Sequence, residues 1–372
     1  MNQVPLFSQR AALEPLLPEI AAAQRAVLER GRYVLGPELE AFESEFASYV
    51  GARHCVGVGS GTDAIAIALR GLGVGPGDEV VVPAFTFYAT AEAVAAVGAT
   101  PVLCDVDPSG WCMTAATAEP AINDRTKALI PVHLFGNPAP MTELLDLARS
   151  RGLKVLEDVA QGHGASLEGD MAGALGDAAA FSFFPAKNLG GFGDGGALTT
   201  DDDHVAGVAR RLRRHGTEDG RTFTELGYNS RLDEIQAAGL RIALRHLTRW
   251  TELRRQVARS YLDGGIHELC EVQEEPDGGA SCRHLFVIAI RDPERLSTAL
   301  AKEGIETRRY YEIPLHRQPG LARWAPLGPL PESERLAAQN LALPIGPALA
   351  PGAVERVVDA VRANLAPYPT AD

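Results

Sequence analysis

The sequence predicts an α/β protein with a large, mostly parallel sheet covered by helices on both faces, followed by a smaller C-terminal α/β unit. Three observations carry this reading. Between the break at GRYVLGPE (31–38) and about residue 200, apolar runs of strand length alternate with alanine-rich runs of helical length. The apolar runs are unbroken rather than alternating with polar residues, which is the pattern of strands buried on both faces. Beyond Gly264-Gly265 a strand–helix alternation begins again on a shorter scale.

Taken in order, residues 11–50 carry helical patterns. Strands are expected at His54–Val58, Glu79–Val82, Thr100–Asp105, Thr126–Val132, Lys154–Glu157, Ala178–Phe183 and Gly196–Thr200. A long helix is expected over Leu232–Tyr261, because Leu240, Leu244, Leu247, Trp250, Leu253 and Val257 recur at spacings of three and four. Further on, CRHLFVIAI reads as a strand, and PERLSTALAKEG and PGAVERVVDAVRANL as helices. We therefore divide the chain into a large unit, residues 1–246, with an N-terminal helical segment, and a small α/β unit, residues 247–372.

Composition narrows the function. The 372 residues are 46% apolar and 22% charged, as in a globular enzyme rather than a disordered chain. A net charge of −13 excludes general nucleic-acid binding, so an anionic substrate needs a local basic patch. The most apolar stretch, 80–104, is interrupted by Pro83, Glu92 and Pro101, and predicts no membrane span. Five scattered cysteines without a CxxC pair point to a reducing compartment, and the N-terminus shows no signal peptide. A cytoplasmic protein is expected. The nine histidines lack metal-ligand spacing, so no metal site is expected.

The chemistry concentrates at Lys187. It stands in FSFFPAKNLGGFGDGGAL (181–198), where an apolar strand ends and glycine-rich backbone begins. A lysine in a desolvated setting loses affinity for its proton and becomes a nucleophile. Upstream, KVLEDVAQGHG (154–164) places Asp158 at the end of another apolar strand. A lone lysine after a strand is most often a solvated surface group. Lysine together with a strand-end aspartate is the pair that pyridoxal phosphate chemistry requires, the amine for the imine and the carboxylate for the pyridinium nitrogen.

A phosphate cup is expected in VGVGSGTDAIAIALRGLG (56–73), where Ser60, Gly61 and Thr62 fall at a helix start. Taken alone, a plain helix cap explains them equally. Ser182, on the strand before Lys187, is a second hydroxyl for the same phosphate. Phe87, in PAFTFYATAEAV (83–94), is the candidate to stack on the pyridine ring, while Phe85 and Tyr88 fit ordinary core packing. Gln161 could donate to the phenolic oxygen. His163 fits a structural hydrogen-bonding residue better than a base, and RRLRRHG (210–216) fits a solvated helix end better than a diphosphate site.

A dinucleotide site is the rival explanation of the glycines. Gly191, Gly193 and Gly196 spell GxGxxG, but the strand-like GALTT follows where a helix is required. The turn at Gly57, Gly59 and Gly61 does precede a helix. Its nearest acids, Asp78 and Glu79, open the next strand instead of closing it.

With these residues in view, the chain from about Gly31 onward resembles the sugar aminotransferase family of fold-type-I pyridoxal phosphate enzymes. GRYVLGPELEAFESEFASYVG, SGTDAIAIAL, GDEVVVPAFTF, EDVAQGHGA, FSFFPAKNLGGFGDGGA, GYNSRLDEIQAA and IPLHRQP are similar to its motifs and stand in its order. The resemblance implies that Lys187 is the Schiff-base lysine, Asp158 the pyridine partner and Gln161 the residue near the phenolic oxygen. Gly61, Thr62 and Ser182 match phosphate-binding positions. Asn229 matches a residue donated across a dimer interface, which implies a homodimer with a shared site.

The implied reaction is transfer of an amino group from glutamate or glutamine to a nucleotide-linked keto-deoxysugar, with dTDP as the carrier. FFPAKNLG is similar to the block of members acting at C3. A C4-aminating enzyme and a non-catalytic regulatory relative are the alternatives. One departure concerns the sugar side: many members carry His-Tyr-Pro before IPLH, whereas Arg308–Glu312 read RRYYE. Tyr310, Tyr311, His316 and His163 are the candidates there.

Overall fold

A computed structural model describes residues 3–325 and 328–365 of the chain. Seven strands form the main sheet: β1 (His54–Val58), β2 (Glu79–Pro83), β3 (Thr100–Cys104), β4 (Thr126–Leu129), β5 (Lys154–Asp158), β6 (Ala178–Ser182) and β7 (Gly196–Thr200). Their order is β1-β7-β6-β5-β4-β2-β3. All run parallel except β7, which is antiparallel to both of its neighbours.

Period-two alternation explains why these runs are apolar throughout. Val80 and Val82 pack into the core under the helices Gly61–Gly71 and Tyr88–Ala96, whereas Val81 packs on the opposite face with Phe85, Trp111 and Phe135. On β6, Ala178 and Ala180 face the first core, while Ala179 and Phe181 join Phe42, Phe46 and Leu240 on the other side. Each strand thus feeds two cores, as a sheet covered on both faces demands.

The expected strands are present, with shifts at their ends. The fourth stops at Leu129 instead of Val132. Beyond it, Val132 keeps only an isolated parallel bridge to Asp158, and His133 N donates to Asp158 O at 3.1 Å. Pro131 has no N–H for a ladder, which accounts for the break.

The long helix runs over Glu234–Asp263, ends at Gly264-Gly265, and passes unbroken across residues 246 and 247. Its buried face differs from the expected stripe. After Leu240, Leu244 and Leu247 the buried positions are Thr251, Arg254, Ala258 and Tyr261, while Trp250, Leu253 and Val257 are only half-buried. Polar residues at two core positions hid the true register. Arg254 is accommodated there by donating to the carbonyls of Arg283 and His284 at 3.4 and 3.1 Å.

C-terminal to this helix, Glu271–Val272, Phe286–Ala289 and Asn340–Leu343 form a three-stranded antiparallel sheet. The helices Pro293–Lys302 and Ala353–Asn364 pack on it around Phe286, Ile288, Leu300 and Val357. The segment leading to His316 returns to the main sheet, where Leu315 N donates to Ala84 O at 2.8 Å, just past β2. No described helix is long and apolar enough to cross a membrane.

Candidate active site

The candidate side chains gather where β2, β5 and β6 end and the helix Gly61–Gly71 begins. After β6 the chain turns sharply: Lys187 N donates to Phe184 O at 2.9 Å, and Gly191 N returns to Phe183 O at 2.7 Å. A side chain at Gly190 would collide with the Pro185 carbonyl, so the loop closes on itself only with glycine there. The neighbouring Asn188 is buried, donating to Cys282 O at 3.3 Å and pairing with His284 Nδ1 at 3.1 Å. These contacts hold the lysine loop against a segment nearly a hundred residues further along.

Burial lowers the Lys187 amine to a pKa of about 8, opposed by the nearby Asp158 charge. The lysine shares a narrow cleft with Ser8, Gln9, Trp250 and Arg254. Arg254 is a buried cation that makes no ion pair among the described residues, and burial lowers its pKa to about 10.

Asp158, at the end of β5, is buried. Thr90 Oγ1 donates to its Oδ2 at 2.8 Å, and Ala160 N donates to its Oδ1 at 3.0 Å. It makes no ion pair among the described residues. A buried carboxylate held this way wants a cationic partner.

Gln161 is held at both ends: its Oε1 accepts from Phe135 N at 2.6 Å and its Nε2 donates to the Tyr311 hydroxyl at 2.7 Å. Tyr311 lies against Phe85, Phe87 and Phe135, with ring centroids 6.4, 5.8 and 6.5 Å away. Phe87 itself is 56% exposed, unlike the fully buried Phe85, and is free to cover a flat ligand.

The cup is built as tightly. Ser60 Oγ caps the helix by accepting from Asp63 N at 3.1 Å. The plain capping role is therefore real, and it leaves the N–H groups of Gly61 and Thr62 at the helix start. A Cβ on Gly61 would stand 2.8 Å from the Ser182 Cβ, so strand and helix meet only because residue 61 lacks a side chain. Ser230 braces the turn from behind, accepting from Gly59 N at 2.9 Å and donating to Asp63 Oδ2 at 2.6 Å. Next to it, Asn229 is exposed and bonds Arg231, with no hydrogen bond to Ser60, Thr62 or Ser182 of its own chain.

Other expected residues lie apart from this centre or act differently. His163 is buried against Phe181 and Phe183. Burial, reinforced by the Lys187 charge and opposed by a hydrogen bond with the Ser182 backbone, lowers its pKa to about 3. It is a neutral core residue. His316 pairs with Glu334 at 3.0 Å, and Tyr310 lies under the Arg308 guanidinium at 5.3 Å. The arginines of 210–216 are largely engaged within the fold: Arg213 is buried on Glu43 and Gly57 O, and Arg211 meets Glu218 and Glu225. Gly196 lies in β7, which removes the dinucleotide reading of its GxGxxG.

Thr90, Asn188 and Ser230 were not anticipated. None carries a signal in sequence, because each acts on a partner between 68 and 171 residues away. Among the described residues no group of three His, Cys, Asp or Glu side chains could hold a metal ion.

Taken together, the residues present fit pyridoxal phosphate. There is a buried amine of lowered pKa, a buried carboxylate without an ion pair among the described residues, a glycine-lined helix start for a phosphate, and an aromatic ring at the opening.

Known proteins agree. Over 363 residues, 97% of this chain and 96% of the relative, the sequence is 47% identical to dTDP-3-amino-3,4,6-trideoxy-alpha-D-glucose transaminase of Streptomyces venezuelae. It is 42% identical over 362 residues, 96% of this chain and 97% of the relative, to a pleiotropic regulatory protein of Geobacillus stearothermophilus. The crystal structure of S. venezuelae DesV in complex with a ketimine intermediate superimposes with a TM-score of 0.95 at 46% identity, covering 98% of each chain. Residues 16–362 match a single family model, and the chain belongs to the DegT/DnrJ/EryC1/StrS aminotransferase family.

Proposed function

We propose that this protein is a pyridoxal-phosphate-dependent transaminase that converts a dTDP-linked 3-keto-deoxysugar to the 3-amino sugar, with glutamate or glutamine as amino donor. The observation that carries the reading is the pairing of Lys187 and Asp158 in one site, within a chain 47% identical to a C3 sugar transaminase. Retention of both residues also disfavours a purely regulatory role.

When bound, the cofactor supplies a carbon that accepts the amino group and a ring that withdraws electrons. The protein's own part is orientation and proton movement. Lys187 Nζ would hold the cofactor when no substrate amine is bound. Its amine, when free, would take the proton from the donor's α-carbon and, in the second half-reaction, return one to the carbon of the sugar that receives nitrogen. Burial, which lowers this amine to a pKa of about 8 in the cofactor-free protein, favours its neutral, nucleophilic form. Asp158 would keep the ring nitrogen protonated. Ser60, Gly61, Thr62 and Ser182 would hold the phosphate and Phe87 would cover the ring, with Tyr310 and His316 as candidates for the sugar.

We further propose a cytoplasmic homodimer in which Asn229 completes the partner's phosphate cup. Exposed Phe223 and Leu226, 60% and 89% accessible, stand shortly before Asn229 and supply the apolar contact such an exchange requires.

The deciding experiment is mass spectrometry of products from thymidine- and uridine-linked 3-keto and 4-keto sugars incubated with glutamate. A mass gain confined to 3-keto substrates is expected. Conversion only of 4-keto sugars would move the assignment to C4, and no conversion at all would favour the regulatory alternative.

A further inference from the structure

We propose that Tyr311 is a positioning residue: it fixes the Gln161 amide so that one N–H of that amide remains for the cofactor's phenolic oxygen. The inference rests on the reading of Gln161 given above and deepens it.

The orientation of the amide follows from its partners. Phe135 N–H can only donate, so the atom 2.6 Å from it is Gln161 Oε1. The nitrogen therefore points the other way, where it lies 2.7 Å from the Tyr311 hydroxyl. Because an amide nitrogen only donates, Tyr311 is the acceptor of this bond. Nε2 carries two hydrogens, and Tyr311 occupies one. The backbone of Gln161 is held as well, since Cys282 Sγ lies 3.2 Å from its carbonyl oxygen. One free N–H therefore leaves a rigidly held group.

Tyr311 can serve as a fixed post because it is itself confined. Its ring packs against Phe85, Phe87 and Phe135, and it reaches Gln161 from 150 residues further along the chain. Burial pushes its phenol well above the ordinary value, opposed by the hydrogen bond with Gln161 and reinforced by the Asp158 charge. The hydroxyl thus stays neutral across the working range. The titratable groups that act on it are Asp158, at the end of β5, and the adjacent Tyr310.

A donor on the phenolic oxygen competes for the electrons that otherwise hold the proton shared with the lysine nitrogen. Weakening that donor raises the pH at which the bound chromophore loses its proton and its yellow colour. The position of the amide is thereby readable without turnover.

The test is a spectrophotometric pH titration of holoenzyme for the wild type, Tyr311→Phe, Tyr310→Phe, Gln161→Leu and the Gln161→Leu/Tyr311→Phe double variant. We expect Tyr311→Phe to raise the midpoint by about half a pH unit or more, the scale of a weakened hydrogen bond to a charged acceptor. Gln161→Leu should raise it at least as far, the double variant no further, and Tyr310→Phe should leave it in place. The donor half-reaction of Tyr311→Phe should lose rate at saturating glutamate with little change in the concentration needed for half saturation.

The proposal is overturned if Gln161→Leu shifts the midpoint and Tyr311→Phe does not, if the two shifts add in the double variant, or if Tyr310→Phe has the same effect. An unmoved midpoint in Gln161→Leu would remove the underlying role of Gln161, and a wild-type protein that gains no yellow chromophore when pyridoxal phosphate is added to the apoenzyme would remove the proposed function itself. Intact unfolding transitions and retained cofactor in each variant exclude misfolding as the cause.

Discussion

Thr90 Oγ1 and Asp158 Oδ2 lie 2.8 Å apart, joining the helix after β2 to the end of β5 across 68 residues of sequence. Both groups are buried. The bond, with that from Ala160 N at 3.0 Å, settles how the carboxylate faces the site. Replacing Thr90 by Val keeps the shape and removes the donor. A hydrogen bond to a charged group contributes about 1.5–3 kcal/mol, so a loss of roughly tenfold or more in both half-reactions is expected. Asp158→Asn should lose more, because it also removes the charge that stabilises a protonated ring. Single-turnover rates measure both. Normal rates in Asp158→Asn would reduce Asp158 to a structural strand end.

Lys187→Ala should abolish the yellow chromophore and turnover while leaving the cup able to hold cofactor. For the apoenzyme, the rate of chromophore formation with added cofactor should rise with pH and level off above about 8, since the neutral amine is the nucleophile. The same shift has a stability consequence. The folded amine releases its proton near 8 and the unfolded one near about 10.4, so between these values the unfolded chain holds more protons. Stability of the apoenzyme should increase with pH across that window, and Lys187→Met should remove the increase. Urea titrations at several pH values test this, and identical slopes in both proteins would contradict it.

Gly61→Ala would place a methyl group 2.8 Å from the Ser182 side chain. The strand and helix must then separate by several tenths of an ångström, widening the cup. Cofactor affinity should fall about tenfold, equivalent to roughly 1.4 kcal/mol, with the fold preserved. Equilibrium binding of the cofactor to the apoenzyme provides the measurement.

Sharing of the site between subunits can be tested by mixing Lys187→Ala chains with Asn229→Asp chains. If Asn229 acts across the interface, one site in each heterodimer has both residues intact and activity returns. If it acts within its own chain, every site carries one defect. Inactive mixtures in which heterodimers are demonstrated would confine the site to one chain.

Glu234, fully buried, accepts from the backbone N–H groups of Gly36, Glu38 and Leu39 at 2.9, 3.1 and 2.9 Å, at the start of the helix Pro37–Val50. Glu234→Ala leaves these donors without their acceptor and should destabilise the fold by about 3 kcal/mol or more. Chemical denaturation reads the change directly.

By itself, the sequence determined the layout of this protein. Unbroken apolar runs such as Glu79–Pro83 could only be strands buried on both faces, and the alternation of Val81 against Val80 and Val82 between two cores follows from the strand period of two. Lys187, Asp158 and the Ser60–Thr62 turn were legible because each stands where a regular element ends, and an element's end is a local pattern. The tertiary structure alone decided what holds them. Thr90 on Asp158, Tyr311 on Gln161, Ser230 behind Gly59 and Asn188 on Cys282 are bonds between residues far apart in the chain, with no period or spacing to announce them. Burial also decided the characters of His163 and Arg254, one a neutral imidazole and the other a cation in a core position. A residue's protonation and direction depend on which atoms surround it, and those atoms come from elements that only folding brings together.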